Sequence, residues 1–217
     1  MNAQQPIYTE KARCQDCYKC VRECPVKAIQ VVDDSAAVIP ERCVYCGTCV
    51  NVCPVGAKKV RDDLGRAKRL LKRKARVIVS LAPSFVSEFP GVEPARLIHA
   101  LRELGFHAVS ETALGAEEVS AACAVELERG GPGAYLSTAC PTVVELIRRY
   151  HPEHLPSLNR LLSPLLAHCK LLRHELGEDI GIVFIGPCIS KKLEADAHPE
   201  LLDVVLTFSD LRRWLEE

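Results

Sequence analysis

The 217-residue sequence has the length of one ordinary globular domain plus a small one, or of two small domains. Apolar residue types make up 48% of it and charged types 26%, which excludes disorder throughout and a continuous coiled coil. The 28 basic and 28 acidic residues balance, so the net charge favours neither nucleic acid nor an anionic membrane as a partner. The longest apolar run, Val77–Val86, is interrupted by serine and proline and is too short for a membrane helix.

Cysteine is the most informative residue type. Twelve are present, and eight of them fall between Cys14 and Cys53. The N-terminus has no basic head followed by an apolar stretch, so we expect no secretory signal and a cytoplasmic, reducing environment. In such an environment, clustered cysteines more often bind metal than form disulfides.

The eight clustered cysteines form a duplicated motif. Each copy reads C-x2-C-x2-C-x3-C-P, and the second copy follows the first at a constant shift of 29 residues. An iron–sulfur cube needs four thiolates, of which one tight loop can supply three, and in this motif the fourth cysteine of each run serves the other cluster. A zinc site would instead require two C-x2-C pairs. The predicted ligand sets are Cys14, Cys17, Cys20 and Cys53 for one [4Fe–4S] cluster, and Cys43, Cys46, Cys49 and Cys24 for the other.

The first 60 residues resemble the bacterial two-cluster ferredoxin module, since all eight cysteines and both prolines of the motif are present. We therefore expect an α+β ferredoxin-like domain at 1–60 that carries two [4Fe–4S] clusters. A basic linker helix is expected at 61–76. The overlapping segment Lys58–Arg76 contains ten Lys or Arg and two Asp, which leaves the remainder of the chain at −8. Two interpretations stay open for this segment: a solvated linker, or a docking face for an acidic redox partner such as a ferredoxin or a reductase. Nucleic acid is disfavoured because no aromatic residue is interleaved with the charges.

From residue 77 onward, strand-like and helix-like segments alternate, which predicts an α/β domain with a mostly parallel sheet over 77–217. The predicted strands are Val77–Leu81, Phe106–Val109, Ala134–Leu136, Ile180–Ile185 and Val204–Leu206. The predicted helices are Pro94–Leu104, Ala116–Leu127, Pro141–Tyr150, Leu161–Leu176 and an amphipathic helix at the end of the chain.

Two further cysteines are predicted to lie in loops where such folds place their sites. Cys140 is expected between a strand and a helix N-terminus, and Cys188 follows the next apolar strand. On the residues alone, a nucleophilic or redox cysteine competes with a metal ligand at both positions. Cys123 and Cys169 fall inside predicted helices and are expected to be buried structural thiols. The seven histidines form no ligand-spaced set.

The sequences Ser137-Thr138-Ala139-Cys140-Pro141 and Gly186–Glu194, which follow the ferredoxin-like module, resemble the first and second signatures of the large subunit of [FeFe] hydrogenases. The resemblance implies that Cys140 and Cys188 bind the cubane of the catalytic H-cluster. It also implies that Lys191 hydrogen-bonds a cyanide ligand of the two-iron subsite, that Glu194 occupies a signature position, and that the loop at Pro83 and Ser84 lies against that subsite.

The sequence also departs from that family. Catalytic members have a proton-relaying cysteine where this chain has Ala139, and Gly186 replaces the usual methionine of the second signature. The third signature, which supplies two more cysteine ligands, is missing from the sequence. The context of Ala139 is closer to the sensory branch of the family, and the ending suggests an incomplete hydrogenase large-subunit-like domain.

Two functions of different class follow from these observations. One is an iron–sulfur electron-transfer protein that resembles the N-terminal part of a hydrogenase large subunit. It would relay electrons to or from an H-cluster-type site that needs a further segment or chain, and H2 oxidation or proton reduction would require that completion. The other is a ferredoxin-type electron carrier or docking protein without an H-cluster. The hydrogenase-like assembly factors of cytosolic iron–sulfur biogenesis are disfavoured, because they resemble a single-cluster arrangement at their N-terminus. Neither nucleic acid nor a membrane is expected as a partner.

Overall fold

A computed structural model describes residues 5–130 and 134–217. The chain divides into two compact units, and both are discontinuous in sequence. The first unit contains Met1–Arg61, Pro141–Leu155 and Ile189–Leu193; the second contains Asp62–Cys140, Pro156–Cys188 and Glu194–Glu217. The domain limits expected from the sequence (1–60, 61–76 and 77–217) stay a prediction.

The first unit shows the duplication as two small antiparallel sheets. Strand β1 (Ile7–Thr9) pairs with β4 (Lys58–Val60), and β2 (Ile29–Val32) pairs with β3 (Ser35–Val38). The β2–β3 connection has two residues with positive φ, Asp33 at 50° and Asp34 at 54°, as a type I′ hairpin turn requires. A 3₁₀ turn (Lys11–Arg13) and the short helices α1 (Lys19–Glu23) and α2 (Thr48–Asn51) complete the N-terminal part.

The core of this unit is small and contains cysteines. Ile7, Ala28 and Ile29 are buried together with Cys20, Cys24, Cys43 and Cys49. Side chains of this size bury little apolar surface, and a unit of this kind gains much of its stability from bound metal.

The second unit is built on a four-stranded parallel sheet in the order β6-β5-β7-β8. Its strands are β5 (Val77–Leu81), β6 (Ala108–Glu111), β7 (Gly181–Gly186) and β8 (Val204–Thr207). Every residue of β5, β7 and β8 is buried, because helices cover the sheet on its faces. The fold class expected from the sequence, a ferredoxin-like α+β module with an α/β domain, is confirmed.

The helical elements after residue 61 are helices α3 (Leu64–Arg73), α4 (Phe85–Glu88), α5 (Pro94–Glu103), α6 (Ala113–Arg129), α7 (Pro141–Tyr150), α8 (Pro164–Leu176), α9 (Lys191–Ala197) and α10 (Phe208–Glu216) and a 3₁₀ turn (Pro152–Ser157). Helix α7 belongs to the first unit. The Ser163 side chain accepts from the Leu166 amide to cap α8, and Thr207 with Asp210 forms a capping box on α10. None of the helices in the described ranges combines the length and the apolar content needed to cross a bilayer.

Two strand predictions need correction. The second strand of the α/β part is Ala108–Glu111 instead of Phe106–Val109, and Phe106 before it is buried with its ring edge-on to that of Trp214. Ala134–Leu136 is not a strand: Leu136 makes a single bridge, accepting from the Asn159 amide and donating to the Ser157 carbonyl.

Candidate metal centres

Four cysteines line one cavity in the first unit, and they come from both copies of the motif. Cys14, Cys17 and Cys20 of the first copy share this space with Cys53 of the second. Thr9, Asp16 and Lys58 also line the cavity.

The other four cysteines line a second cavity. Here Cys43, Cys46 and Cys49 come from the second copy and Cys24 comes from the first. The described lining of this second cavity contains no charged side chain. Each cavity therefore receives three thiols from one loop and the fourth from the other, which is the arrangement expected from the spacing.

The backbone around the two cavities repeats along with the sequence. Ala28 donates its amide to the Cys24 sulfur at 3.3 Å, and the equivalent Ala57 donates to Cys53 at 3.1 Å. The cysteine loops turn through positive φ at matched positions, 47° at Asp16 and 56° at Tyr45. Amides that point at sulfur stabilise a thiolate, so the loops are preorganised for anionic ligands.

Burial and hydrogen bonding act on these thiols in opposite directions. Hydrogen bonds from the backbone amides of Ala36 and Asp16 lower the pKa of Cys14. At Cys53 burial opposes ionisation, but backbone amides outweigh it and the pKa is lowered. Burial raises the pKa of Cys20 and Cys43, and that of Cys49 to about 12.

The chemistry of both cavities fits an iron–sulfur cluster. Within the described ranges, no group of three or more His, Cys, Asp or Glu side chains is gathered tightly enough for a single metal ion. A cubane is larger than a single ion, so its four thiolate ligands need not lie close to one another, and the four thiols that line each cavity supply such a set. When metal binds, the ligand thiols lose their protons to it.

Residues that follow position 61 in the sequence also contact the cysteine-containing part of the first unit, and the motif alone does not indicate these contacts. Arg149 of α7 donates to the Pro40 carbonyl at 2.6 Å and pairs with Glu145. Tyr150 donates to the Arg42 carbonyl at 2.7 Å. Ile189 packs so closely over Gly47 that a Cβ placed there would meet its side chain at 2.9 Å. The regular apolar spacing of Pro141–Tyr150 was the only sequence signal for this packing surface.

In the second unit, two loops that carry hydrogenase-like residues follow neighbouring parallel strands. Pro83 and Ser84 follow β5, and Cys188 follows β7. The Ala82 amide donates to the Ile185 carbonyl at 2.9 Å, and a Cβ on Gly186 would meet that of Ala82 at 2.8 Å. Gly186 is thus required by close packing. Pro83 and Ser84 are exposed and Cys188 is half-buried.

Cys140 is exposed and immediately precedes α7, as expected, but no strand leads into it. Thr138, two residues earlier, holds the loop by donating to Asn159 Oδ1 at 2.5 Å and to the Leu161 carbonyl at 2.8 Å. Lys191 is buried at the first position of α9, and Glu194 is half-buried one turn later.

The prediction of two buried structural thiols holds for one of them. Cys169 on α8 is fully buried. Cys123 on α6 is only half-buried, and its sulfur lies 3.7 Å from the Tyr135 hydroxyl and 3.8 Å from Asn159 Nδ2. Tyr135 also donates to the Glu126 carboxylate.

The basic segment is largely engaged within the protein. Lys58 is buried, Lys59 pairs with Glu10, Arg66 with Asp196, Lys68 with Glu217, and Lys74 with Asp179. Arg69, Lys72 and Arg73 on α3 make no hydrogen bond or ion pair with the described residues.

Two family models match the chain. The model described as "Iron only hydrogenase large subunit, C-terminal domain" matches residues 75–217, about two-thirds of the chain. The model described as "4Fe-4S dicluster domain" matches residues 13–57. The second match supports iron–sulfur clusters in the first unit.

Several curated relatives are named cytosolic Fe-S cluster assembly factor NAR1. Those of Sclerotinia sclerotiorum and Botryotinia fuckeliana are 36% and 37% identical over 99 residues, which cover 42% of this chain and 17% of each relative. The protein of Talaromyces marneffei is 34% identical over 104 residues, or 42% of this chain and 18% of the relative. The matched region thus spans about a sixth of the length of these relatives.

Proposed function

Because the chain belongs to the iron-only hydrogenase large-subunit family, we propose that it is an electron-transfer protein with two [4Fe–4S] clusters. The observation that carries this proposal is the pair of cavities, each lined by four cysteines from both copies of the motif. A bound cluster supplies reversible one-electron storage at each site. The loops hold the thiols around the cavities and aim amides at their sulfurs, so this chain's own residues set the geometry before metal arrives.

The proposed direction of the relay is toward the hydrogenase-like loops. Ile189, which packs on Gly47 beside the second cavity, directly follows Cys188 in the chain. The crossed thiols of Cys24 and Cys53 join the two cavities through short lengths of backbone. The peptide link between Cys188 and Ile189 supports this proposed direction.

We assign Cys140 and Cys188 as cluster ligands of an H-cluster-type site that other ligands must complete. Lys191, Glu194, Pro83 and Ser84 would bind and enclose that site. Two thiols are half the number that a cubane needs, so this chain by itself should not oxidise H2 or reduce protons. A further segment or a partner chain would have to supply the remaining ligands.

The surface proposed for a redox partner is narrower than the basic segment itself. Arg69, Lys72 and Arg73 are the cations of α3 that described residues leave available, and they would steer an acidic ferredoxin or reductase. We place the protein in the cytoplasm, where clustered thiols stay reduced.

Cluster assembly is the second candidate function, and the names of the curated relatives favour it. An assembly factor would pass a cluster to an acceptor protein, whereas a relay would retain both clusters and exchange only electrons. Incubation of the iron-loaded protein with an excess of an apo-ferredoxin separates the two, since only transfer moves iron to the acceptor.

Anaerobic reconstitution tests the proposal. We expect about eight irons and eight labile sulfides per chain, the content of two cubes. Reduced samples should show an EPR signal, and infrared spectra should lack bands of iron-bound carbonyl or cyanide. One cube or none per chain would contradict the two-cluster proposal. Carbonyl or cyanide bands would show that this chain completes the third site itself.

A further inference from the structure

Lys58 breaks the symmetry between the two cavities. A shift of 29 residues relates it to Ile29, and the two side chains line corresponding cavities. Ile29 lies beside the second cavity, and Lys58, only 3% exposed, lies beside the first. One copy of the motif thus has a buried cation where the other has an apolar side chain.

The contacts of Lys58 do not neutralise its charge. Its Nζ donates to Thr9 Oγ1 at 2.6 Å and to the Ala36 carbonyl at 2.8 Å, and both acceptors are uncharged. No carboxylate of the described residues forms an ion pair with it. Because a buried charge is costly unless paired, the site needs an anion, and the first cavity offers the cysteine thiolates and the Asp16 carboxylate, which lines it without forming an ion pair with Lys58.

The amides of Ala28 and Ala57 donate to equivalent sulfurs, so these two hydrogen bonds do not distinguish the sites. Asp16 does distinguish them, because it lines the first cavity where the second copy has Tyr45, and its Oδ1 is buried with no hydrogen-bond partner among the described residues. A carboxylate at this position lowers the potential of the same cluster and so opposes Lys58, and the two charges are therefore removed in separate variants below. Arg149 acts on the second site, and its charge is already paired with Glu145.

We propose that Lys58 is a built-in counter-cation that raises the reduction potential of the cluster at Cys14, Cys17, Cys20 and Cys53 above that of the other cluster. This inference rests on the two-cluster function proposed above. Reduction transfers one electron from an external one-electron donor and adds one negative charge to the site, and no bond in the protein is made or broken. A nearby buried cation stabilises the more negative state, which raises the potential.

Lys58 lines only the first cavity, so removal of its charge should shift the potential of the second cluster in the same direction but by a smaller amount.

Redox titration of the reconstituted full chain, followed by EPR with dithionite as reductant, tests the proposal. In Lys58→Met, the equilibrium constant for one-electron reduction of the first cluster should fall at least tenfold, which corresponds to about 59 mV. Lys58→Gln removes the charge but keeps a hydrogen-bond donor, and it should produce a similar fall. Spectra of Cys17→Ser and Cys46→Ser, which each remove one ligand of one set, identify the two signals.

Two variants serve as charge controls. Lys59→Met removes the neighbouring cation, which is more exposed and pairs with Glu10 at 3.9 Å, and it should change the constant less than twofold. Asp16→Asn should raise the potential of the same cluster.

The possible results of these experiments distinguish failure of the proposed role of Lys58 from failure of the proposed two-cluster function. Fewer than two clusters in the unchanged protein would overturn the proposed function. Two clusters whose potentials stay the same in Lys58→Met and Lys58→Gln, or a larger shift at the second cluster, would overturn the role of Lys58 alone.

Discussion

At the residue scale, His168 on α8 is a buried polar side chain whose two ring nitrogens both form hydrogen bonds. It is fully buried, with Nδ1 2.8 Å from the Ser80 hydroxyl and Nε2 2.9 Å from the Ser110 hydroxyl. Ser80 in turn bonds Thr112 at 2.8 Å. One ring nitrogen donates and the other accepts, so this network suits a neutral imidazole and ties α8 to strands β5 and β6.

Burial lowers the pKa of His168 to about 4, and this predicts how stability depends on pH. An unfolded histidine titrates near 6.5, so between pH 6.5 and 4 the unfolded chain binds a proton that the folded chain does not. Stability should therefore be complete above pH 6.5 and fall as the pH decreases, by about 2 kcal/mol at pH 5. Denaturant unfolding at pH 7.5 and pH 5, at equal iron content, measures this difference.

His168→Gln removes the titrating group, and its free energy of unfolding should change about 2 kcal/mol less than that of the unchanged protein over the same pH range. His99→Gln is the matched control, since His99 is exposed and paired with Glu103 at 3.3 Å. The same pH dependence in all three proteins would show that His168 does not set it.

At the element scale, the contact between α6 and α8 depends on Gly115. A Cβ at this position would lie 2.2 Å from the Pro164 carbonyl oxygen and 2.6 Å from the His168 backbone nitrogen. Both are backbone atoms, so a helix would have to move. The apolar periodicity of α6 predicts a helix there, but it does not indicate this close approach.

Gly115→Ala should lower the free energy of unfolding by at least about 2 kcal/mol, because the overpacking penalty exceeds the gain in helix propensity. Gly65→Ala on the exposed face of α3 is the matched control, since its nearest neighbour is the flexible end of Arg69 at 3.4 Å. That variant should raise stability by up to about 1 kcal/mol. Thermal unfolding of both proteins tests the pair, and equal stabilisation by both substitutions would contradict the proposed packing.

Elements with strong periodicity or clear end signals were predictable from the sequence. Pro94 and Pro141 mark the starts of their helices, and the apolar runs at Val77 and Ile180 became buried parallel strands. The sequence did not predict helix α9, because seven residues are too few to show a helical periodicity of apolar side chains, and its burial depends on tertiary packing. The bridge at Leu136 looked like a strand because a single apolar triplet does not reveal whether a partner strand exists.

At the scale of the whole molecule, the cysteine spacing predicted which thiols share a space, and the cavities place them accordingly. The motif could not show that Lys58 would turn inward from a run of surface cations. Its position opposite Ile29 in the repeat was the available signal. The ligands beyond Cys140 and Cys188 could not be predicted, because this sequence contains only two of the family's signatures.

Crossed ligation, in which the fourth cysteine of each motif copy binds the other cluster, joins the two copies into one unit and places both clusters of the proposed relay in it. Cys24 and Cys53 are equivalent positions in the repeat, so their serine variants form a matched pair. The direct measurement is the EPR and Mössbauer spectrum that remains after each substitution in the anaerobically reconstituted chain.

We expect Cys24→Ser to leave the same spectrum as Cys46→Ser, and Cys53→Ser the same spectrum as Cys17→Ser, since the members of each pair serve one cluster. If Cys24→Ser instead matches Cys17→Ser, each motif binds its own cluster and the crossed arrangement is wrong.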